Sequence, residues 1–160
     1  MNSPSDGASI HGTCVAFGDI ALLLRGPPGA GKSDLALRLI EGGARLVADD
    51  RVVLQRTGDA IAASAPPGIA GMLEIRGVGI VRMPFCASAR VALVADLVEP
   101  PSLERLPHTA WCEYLGVKIR SMPVAPFAMS SVAKLRIAAF SAADQDDPAT
   151  GARRIRDDEE

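Results

Sequence analysis

The segment from Ile20 to Glu41 constrains the fold more than any other part of this sequence. Large aliphatic residues at 20–24 precede a glycine and proline cluster, and apolar residues at helical spacing follow it. The cluster, Gly26-Pro27-Pro28-Gly29-Ala30-Gly31-Lys32-Ser33, fits the pattern G-x-x-x-x-G-K-[ST]. The segment therefore predicts a buried strand, a phosphate-binding loop, and an amphipathic helix that ends at Gly42-Gly43.

The residue types in this loop suit a nucleoside triphosphate. Glycines allow successive backbone N–H groups to point inward around phosphate oxygens, and the N-terminus of the following helix attracts anions. Lys32 supplies a compact positive charge for the terminal phosphates, and the hydroxyl of Ser33 is suited to ligate Mg²⁺. A glycine-rich turn without a ligand is the alternative, but the expected strand and helix on either side favour the binding loop.

Two adjacent carboxylates follow the next apolar segment, Arg45 to Ala48. Neighbouring residues of a strand point to opposite faces, so Asp49 and Asp50 both face the phosphates only if the strand ends before them. One carboxylate is then suited to hold Mg²⁺, and the other to accept a proton from an attacking hydroxyl. The alternative is a pair of turn residues that cap the strand.

Composition limits the classes of protein to consider. The chain has 160 residues, 48% of them hydrophobic, which predicts one domain with a real core. A net charge of −2, aromatic residues at only 4% and no basic patch argue against nucleic-acid and membrane surfaces. Three widely spaced cysteines form neither a metal-ligand pattern nor a disulfide framework, so we expect a reducing, cytoplasmic location.

The expected organisation is an α/β domain, residues 10–141, between a flexible leader, 1–9, and a polar charged tail, 142–160, without fixed structure. The leader lacks the features of a signal peptide. Short strands after residue 50 favour a mixed sheet flanked by helices. Expected strands are 10–17, 20–24, 45–48, 52–55 and 91–98, with a hairpin turn at 57–59, short strands within 102–127 and a helix over 130–140.

Four stretches in this order resemble the catalytic domain of the bacterial HPr kinase/phosphorylase family. They are Ile10-His11-Gly12, the phosphate loop, Arg45-Leu46-Val47-Ala48-Asp49-Asp50-Arg51-Val52, and Leu73-Glu74-Ile75-Arg76-Gly77-Val78-Gly79-Ile80. The last is close to the family signature LEIRGLGI and is far more specific than the loop. The resemblance covers about residues 10–140, and it suggests a short form that consists of the C-terminal catalytic domain only.

The resemblance implies a bifunctional enzyme of carbon metabolism with a P-loop core related to that of PEP carboxykinase. Members of the family use ATP and Mg²⁺ to phosphorylate a serine of HPr, the phosphocarrier of the sugar phosphotransferase system. They also remove that phosphate with inorganic phosphate, which forms pyrophosphate. Family members are hexamers, so the resemblance implies a homo-oligomer.

Site residues follow from the resemblance position by position. His11 matches the catalytic histidine, Asp50 the base that takes the serine proton, and Glu74 a ligand of Mg²⁺ beside Ser33. Asp49 supports the metal or the base. Without the family motifs, His11 would be interpreted as structural and Glu74 as an exposed strand carboxylate.

Two further regions carry expected roles. Arg76, Gly77 and Gly79 would lie near HPr, and Arg105 aligns with a family arginine implicated in catalysis. An arginine there could offset charge on the transferring phosphoryl group, although a solvated surface arginine is the alternative.

The chain also departs from the family pattern. A late segment of the type PVxxGRN, tied to dephosphorylation, corresponds to residues 123–128, which lack the glycine and arginine. Pro27 and Pro28 stand where the family often has Asp-Ser, and proline has no N–H to donate. Forward kinase activity is therefore the main expectation. A small-molecule P-loop kinase and a nucleotide-responsive HPr-binding module stay open as alternatives.

Overall fold

The computed structural model describes residues 7–99 and 110–146, with side chains described as far as residue 144. Within this part of the chain lie eleven strands and two helices. The strands are β1 Gly7–His11, β2 Thr13–Phe17, β3 Ile20–Arg25, β4 Arg45–Ala48, β5 Arg51–Thr57, β6 Ala60–Ser64, β7 Met72–Ile75, β8 Gly79–Arg82, β9 Ala89–Leu97, β10 Ala110–Tyr114 and β11 Val117–Val124. The helices are α1 Lys32–Glu41 and α2 Ser131–Asp146.

Nine strands form one mixed sheet, as expected. Its path is β1-β5-β6-β9-β3-β2-β4, with β11 paired to β9 and β10 paired to β11. The pairs β3·β9 and β11·β9 are parallel, whereas the other pairs of this sheet are antiparallel. The carboxyl ends of β3, β9 and β11 therefore meet at one edge. Strands β7 and β8 form a separate two-stranded hairpin.

The sheet curls because consecutive strands lie near opposite ends of its path. Only Gly12 separates β1 from β2, yet β1 pairs with β5 and β2 pairs with β3 and β4. Gly12 permits this close approach, since a Cβ there would lie 3.0 Å from the carbonyl oxygen of Leu24. The curl carries His11, at the end of β1, toward the beginning of the phosphate loop.

The three central strands, β2, β3 and β9, are buried on both faces. Side chains alternate between two apolar clusters: Leu23 and Val94 lie in one, and Leu22 and Leu24 lie in the other with Leu35 of α1. This double burial explains why the strands appear in the sequence as continuous apolar runs. Both helices pack on the second cluster, which includes Leu39 and Leu135 as fully buried side chains.

Helix α1 confirms the expected strand–loop–helix unit. Its buried face consists of Leu35, Ala36 and Leu39. The N–H of Gly42 donates to the carbonyl oxygens of Arg38 and Leu39, and Gly43 has φ 111°, so the glycine pair ends the helix.

Both expected boundaries of the domain differ from the structure. Residues 7–9 belong to β1, whereas residues 1–6 lie outside the described residues. Helix α2 runs to Asp146 and buries Ala142 and Ala143, which were expected in the charged tail. The polar composition after Ser141 gave no signal for these two buried alanines. Residues 147–160 lie outside the described residues.

In the part of the chain that the structure describes, no helix is both long and apolar enough to cross a membrane.

Candidate active site

The phosphate loop connects β3 to α1, and Lys32 closes over it. The Nζ of Lys32 donates to the carbonyl oxygens of Gly26 at 2.6 Å and Pro27 at 3.0 Å. The loop is compact: the N–H of Ala30 donates to Pro27 at 3.1 Å, and Gly31 has φ 103° at the start of α1. The ammonium group therefore already lies at the loop that would bind phosphates, where a single positive charge is useful.

Asp49 is the centre of the hydrogen bonds around the loop. Its Oδ1 accepts from the hydroxyls of Thr13 and Ser33, each at 2.9 Å, and its Oδ2 accepts from the N–H of Glu74 at 3.2 Å. Strand β4 ends at Ala48, so the alternation of side chains along a strand does not determine where the Asp49 side chain points. Asp49 thus joins β2, α1 and β7 at one point.

Asp50 points to a different environment from its neighbour. It has φ 69°, in the left-handed region, and its side chain is 80% exposed. The Nδ1 of His11 lies 3.7 Å from Oδ1 of Asp50. Two backbone hydrogen bonds hold the chain reversal that separates the two carboxylates. The N–H of Gly12 donates to the carbonyl oxygen of Asp50, and the N–H of Arg51 donates to the carbonyl oxygen of Asp49.

The β7–β8 hairpin is fixed beside this site. Leu73 is fully buried, and the backbone of Glu74 contacts Asp49 while its side chain is exposed. Arg76, Gly77 and Gly79 follow at the exposed end of the hairpin, together with Val78, which is 71% exposed. The structure therefore brings the 73–80 signature next to the phosphate loop.

An ion pair fixes the strand that leads into the loop. The guanidinium of Arg25 makes a two-point contact with Asp96, at 2.7 and 2.9 Å, and donates to the hydroxyl of Tyr114 at 3.0 Å. The hydrogen bonds to Asp96 raise the pKa of Arg25 further above its ordinary value. Because Arg25 directly precedes Gly26, this pair ties the start of the loop to β9 and β10.

The oxygen atoms at Asp49 fit a hard divalent cation such as Mg²⁺. Ser33 contributes a hydroxyl and Asp49 a carboxylate, and Mg²⁺ commonly takes one or two protein ligands together with water and substrate phosphates. Within residues 7–99 and 110–146, no group of three or more His, Cys, Asp or Glu side chains is arranged to hold a metal. The donor set therefore suits an ion that arrives with a nucleotide.

Two side chains of this arrangement were not among the site residues predicted from the sequence. Thr13 is 1% exposed and donates to Asp49, and the only signal in the sequence is a hydroxyl in an otherwise apolar strand. Phe127 lies against Gly31, within the 123–128 segment that was expected to matter only through the residues it lacks. Arg105 lies outside the described residues.

Comparisons with known proteins agree on one family. The family model for the HPr Serine kinase C-terminal domain matches residues 3–135. Relatives named HPr kinase/phosphorylase include one from Exiguobacterium sp., 46% identical over 74 residues, and one from Geobacillus kaustophilus, 43% identical over 97 residues. These matches cover 46% and 56% of this chain but only 24% and 31% of the relatives. The chain therefore matches about a quarter to a third of the length of these relatives.

A solved structure has the same fold. The HPr(Ser) kinase/phosphatase from Coxiella burnetii is similar with a TM-score of 0.75 and 22% sequence identity, over 87% of this chain and 93% of that chain. The likeness supports the mixed α/β architecture, with its curled sheet and flanking helices.

Proposed function

Because this chain belongs to the family of the HPr Serine kinase C-terminal domain, we propose that it transfers the γ-phosphoryl group of ATP to a serine of HPr. The observation that carries the proposal is the contact of Ser33 with Asp49 at 2.9 Å, directly beside the exposed carboxylate of Asp50. An oxygen pair suited to a metal ion and, on the next residue, an exposed carboxylate suited to act as a base support this proposal.

The residues of the loop would bind and orient the triphosphate. Backbone N–H groups at the start of α1 and the ammonium group of Lys32 hold the phosphate oxygens, which requires Lys32 to leave the carbonyl groups of Gly26 and Pro27. Mg²⁺, when bound at Ser33 and Asp49, offsets negative charge on the phosphates. Positive charge brought to the phosphates in this way would stabilise the transition state more than the ground state.

Asp50 would take the proton from the serine hydroxyl of HPr. Its 80% exposure lets a protein substrate reach it, and the Nδ1 of His11 lies 3.7 Å from its Oδ1. Glu74 is proposed as a further metal ligand, and Arg76, Gly77 and Gly79 as part of the surface for HPr. Arg105 is proposed to act on the transferring phosphoryl group.

We propose forward transfer as the principal activity, since residues 123–128 lack the glycine and arginine of the family segment tied to dephosphorylation. The same site would run phosphorolysis if inorganic phosphate took the place of the leaving nucleotide. The proposed setting is the sugar phosphotransferase system in the cytoplasm, with a hexameric enzyme and neither nucleic acid nor membrane as partner. The net charge of −2 supports this absence of polyanionic partners.

The test is transfer of label from γ-labelled ATP to purified HPr in the presence of Mg²⁺. We expect labelling that is lost in Lys32→Ala and Asp50→Asn and kept in Asp59→Asn, a control carboxylate that is 108% exposed in the β5–β6 turn. HPr binding that depends on ATP, without any labelling, would instead show a binding module. Phosphorylation of a metabolite but not of HPr would show a small-molecule kinase.

The reverse reaction needs a separate assay with phosphoseryl-HPr and inorganic phosphate. Pyrophosphate release at a rate comparable with forward transfer would contradict the proposed bias toward the kinase direction. Light scattering of the purified protein tests the proposed hexamer.

A further inference from the structure

The turn that follows β11, residues 125–130, lies at the same edge of the sheet as the phosphate loop. The N–H of Ala128 donates to Ala125 at 3.2 Å, and the N–H of Ser131 donates to Ala128 at 3.1 Å, so the turn has a defined backbone. We call it the 125–130 turn. The site described above gives it no role.

Parallel pairing brings this turn to the place where ligands bind in open α/β sheets. Strands β3, β9 and β11 end side by side: a Cβ on Gly26 would lie 3.2 Å from Cβ of Leu97, and the N–H of Val98 donates to Val124 at 2.9 Å. Ligands of such sheets bind in the crevice beyond the carboxyl ends of the strands. The phosphate loop forms one wall of that crevice, and the 125–130 turn lies against the loop at Gly31.

Phe127 is the residue of this turn that reaches the loop. A Cβ placed on Gly31 would lie 2.7 Å from Cζ of Phe127, so the tip of the ring points at the backbone of the loop. The residue is nevertheless 70% exposed. Contact through the tip with this exposure leaves ring surface open to solvent directly beside the start of α1. An exposed apolar ring in a fixed position is available for stacking.

The turn is held to α1 by Arg38. Its guanidinium donates to the hydroxyl of Ser131 at 3.1 Å and to the carbonyl oxygen of Pro126, and the Ser131 hydroxyl also donates to Pro126 at 3.2 Å. Ser131 is 1% exposed, so its bond to Pro126 is shielded from water, and the two bonds from Arg38 are partly buried. Phe127 is therefore positioned before any ligand binds, which reduces the entropy lost on binding.

We propose that Phe127 stacks on the base of the nucleoside triphosphate and that the 125–130 turn forms the wall of the nucleoside part of the site. Stacking of a base on an aromatic ring tolerates different bases, because every base has a π-face. The inference rests on the proposed use of a nucleotide by the phosphate loop, and it does not depend on HPr as the acceptor. It also gives residues 123–128 a role on the nucleotide side of the site.

The experiment compares ATP with inorganic tripolyphosphate, a probe that has the phosphates but no base. Dissociation constants of both are measured by calorimetry with Mg²⁺ for the unaltered protein and for Phe127→Ala. We expect the affinity for ATP to fall by about five- to 150-fold, the range of one stacked base. The affinity for tripolyphosphate should stay unchanged, because the backbone of the loop and Lys32 are untouched.

Two further variants control for shape and surface. Ile137→Ala removes another exposed apolar side chain, one that is 71% exposed on α2 and lies outside the 125–130 turn, and should bind ATP as the unaltered protein does. Phe127→Trp keeps an aromatic face and should retain ATP affinity. Thermal melts establish that each variant is folded.

An equal loss of both ligands in Phe127→Ala would overturn the inference, because the ring would then only shape the phosphate loop. Unchanged binding of both ligands would overturn it as well. Binding of neither ligand to the unaltered protein would contradict the proposed function itself. Loss of ATP affinity alone supports the inference even if no HPr is phosphorylated.

Discussion

Asp49 and Asp50 are adjacent residues with opposite surroundings. Asp49 accepts three hydrogen bonds from Thr13, Ser33 and the backbone of Glu74, whereas Asp50 is exposed and has a left-handed backbone. The first arrangement suits a positioned ligand of a metal ion, and the second suits a base that a large substrate can reach. This difference allows the two carboxylates to be tested separately.

The Thr13–Asp49 contact should stabilise the fold as well as the site. We expect Asp49→Ala to lower the free energy of unfolding by about 1–3 kcal/mol, because it leaves the buried hydroxyl of Thr13 without an acceptor. Thr13→Val should cost less, about 0.5–1.5 kcal/mol, since it removes donor and bond together. Urea denaturation measures both variants.

The double variant Thr13→Val with Asp49→Ala is the control for this pair. Removal of both partners should cost less than the sum of the two single changes, because no unsatisfied hydroxyl remains. Additive losses would show that the contact contributes nothing of its own.

Asp50 should matter more for phosphoryl transfer than for stability. We expect Asp50→Asn, Asp50→Gly and Asp50→Ala all to lower kcat by about 10²–10⁴-fold, the usual contribution of a general base. The free energy of unfolding should differ between the variants. At φ 69° the backbone is left-handed, which should make Asp50→Ala about 1–2 kcal/mol less stable than Asp50→Gly. Steady-state kinetics and urea denaturation of the three variants provide the measurement.

The three variants at Asp50 separate chemistry from backbone shape. If activity followed stability, with Asp50→Gly active and Asp50→Ala inactive, the residue would serve only to turn the chain. Equal loss in all three variants supports its role as the base.

At the level of single residues, local motifs predicted the loop and the carboxylates but not their partners. Thr13 reaches Asp49 across 36 positions of sequence, because the curl of the sheet places β2 beside β4. No local pattern contains that pairing. The Asp49-Asp50 pair has two interpretations for the same reason: whether both side chains can face the phosphates depends on where β4 ends.

At the level of elements, hydrogen bonds of Arg38 connect α1 to the 125–130 turn and to the start of α2. Arg38 extends from the last turn of α1 to Ser131 and to the carbonyl oxygen of Pro126, while it also pairs with Asp34 at 3.1 Å. The pair with Asp34 lies on the surface of the helix, at side-chain exposures of 33% and 56%. The contacts to the turn, in contrast, connect parts of the chain far apart in sequence.

We expect Arg38→Ala to cost about 1.5–3 kcal/mol of stability, the range for hydrogen bonds to a charged group. Asp34→Ala should cost about 0.3–0.5 kcal/mol, as exposed helical pairs do. Arg38→Ala should also weaken ATP binding, because the 125–130 turn loses its anchor. Denaturation and calorimetry on both variants test this, and equal effects of the two changes would show that Arg38 acts only within α1.

Elements with a strong local signal were predicted well. Three local patterns predicted β3 and α1: the apolar run before the loop, the helical spacing after it and the glycine pair at 42–43. The structure confirms both elements. Strand β11 follows from no comparable signal, since its residues include charges and Pro123 and its place depends on parallel pairing with β9. Likewise, α2 continues past its expected end because Ala142 and Ala143 pack in the core. Alanines in a polar stretch give no sequence signal for where the helix ends.

At the level of the whole molecule, the curled sheet couples the site to global stability. Residues of β1, β2, β3 and β4 meet at Asp49, His11 and the loop, and the same central strands carry both apolar clusters. A mixed sheet was predictable from the short strands after residue 50. Its curl was not, because it depends on the close approach of Gly12 to the end of β3.

Cys14 provides a reporter for this coupling. Its side chain is fully buried in the first cluster, and burial raises the pKa of its thiol. The reactive thiolate is therefore scarce in the folded state, and alkylation should require opening of the central strands. In a variant with Cys86→Ser and Cys112→Ser, the rate of Cys14 alkylation then measures the population of the opened molecule.

We expect ATP with Mg²⁺ at 100 times its dissociation constant to slow this alkylation about 100-fold, since a ligand bound only to the folded state adds about 2.7 kcal/mol at that concentration. The rate is followed by mass spectrometry under native conditions. Lys32→Ala in the same background should show no protection at the same ATP concentration. Alkylation that is fast without ligand, or that ATP leaves unchanged although calorimetry shows binding, would mean that Cys14 is reached through a local opening independent of the phosphate loop.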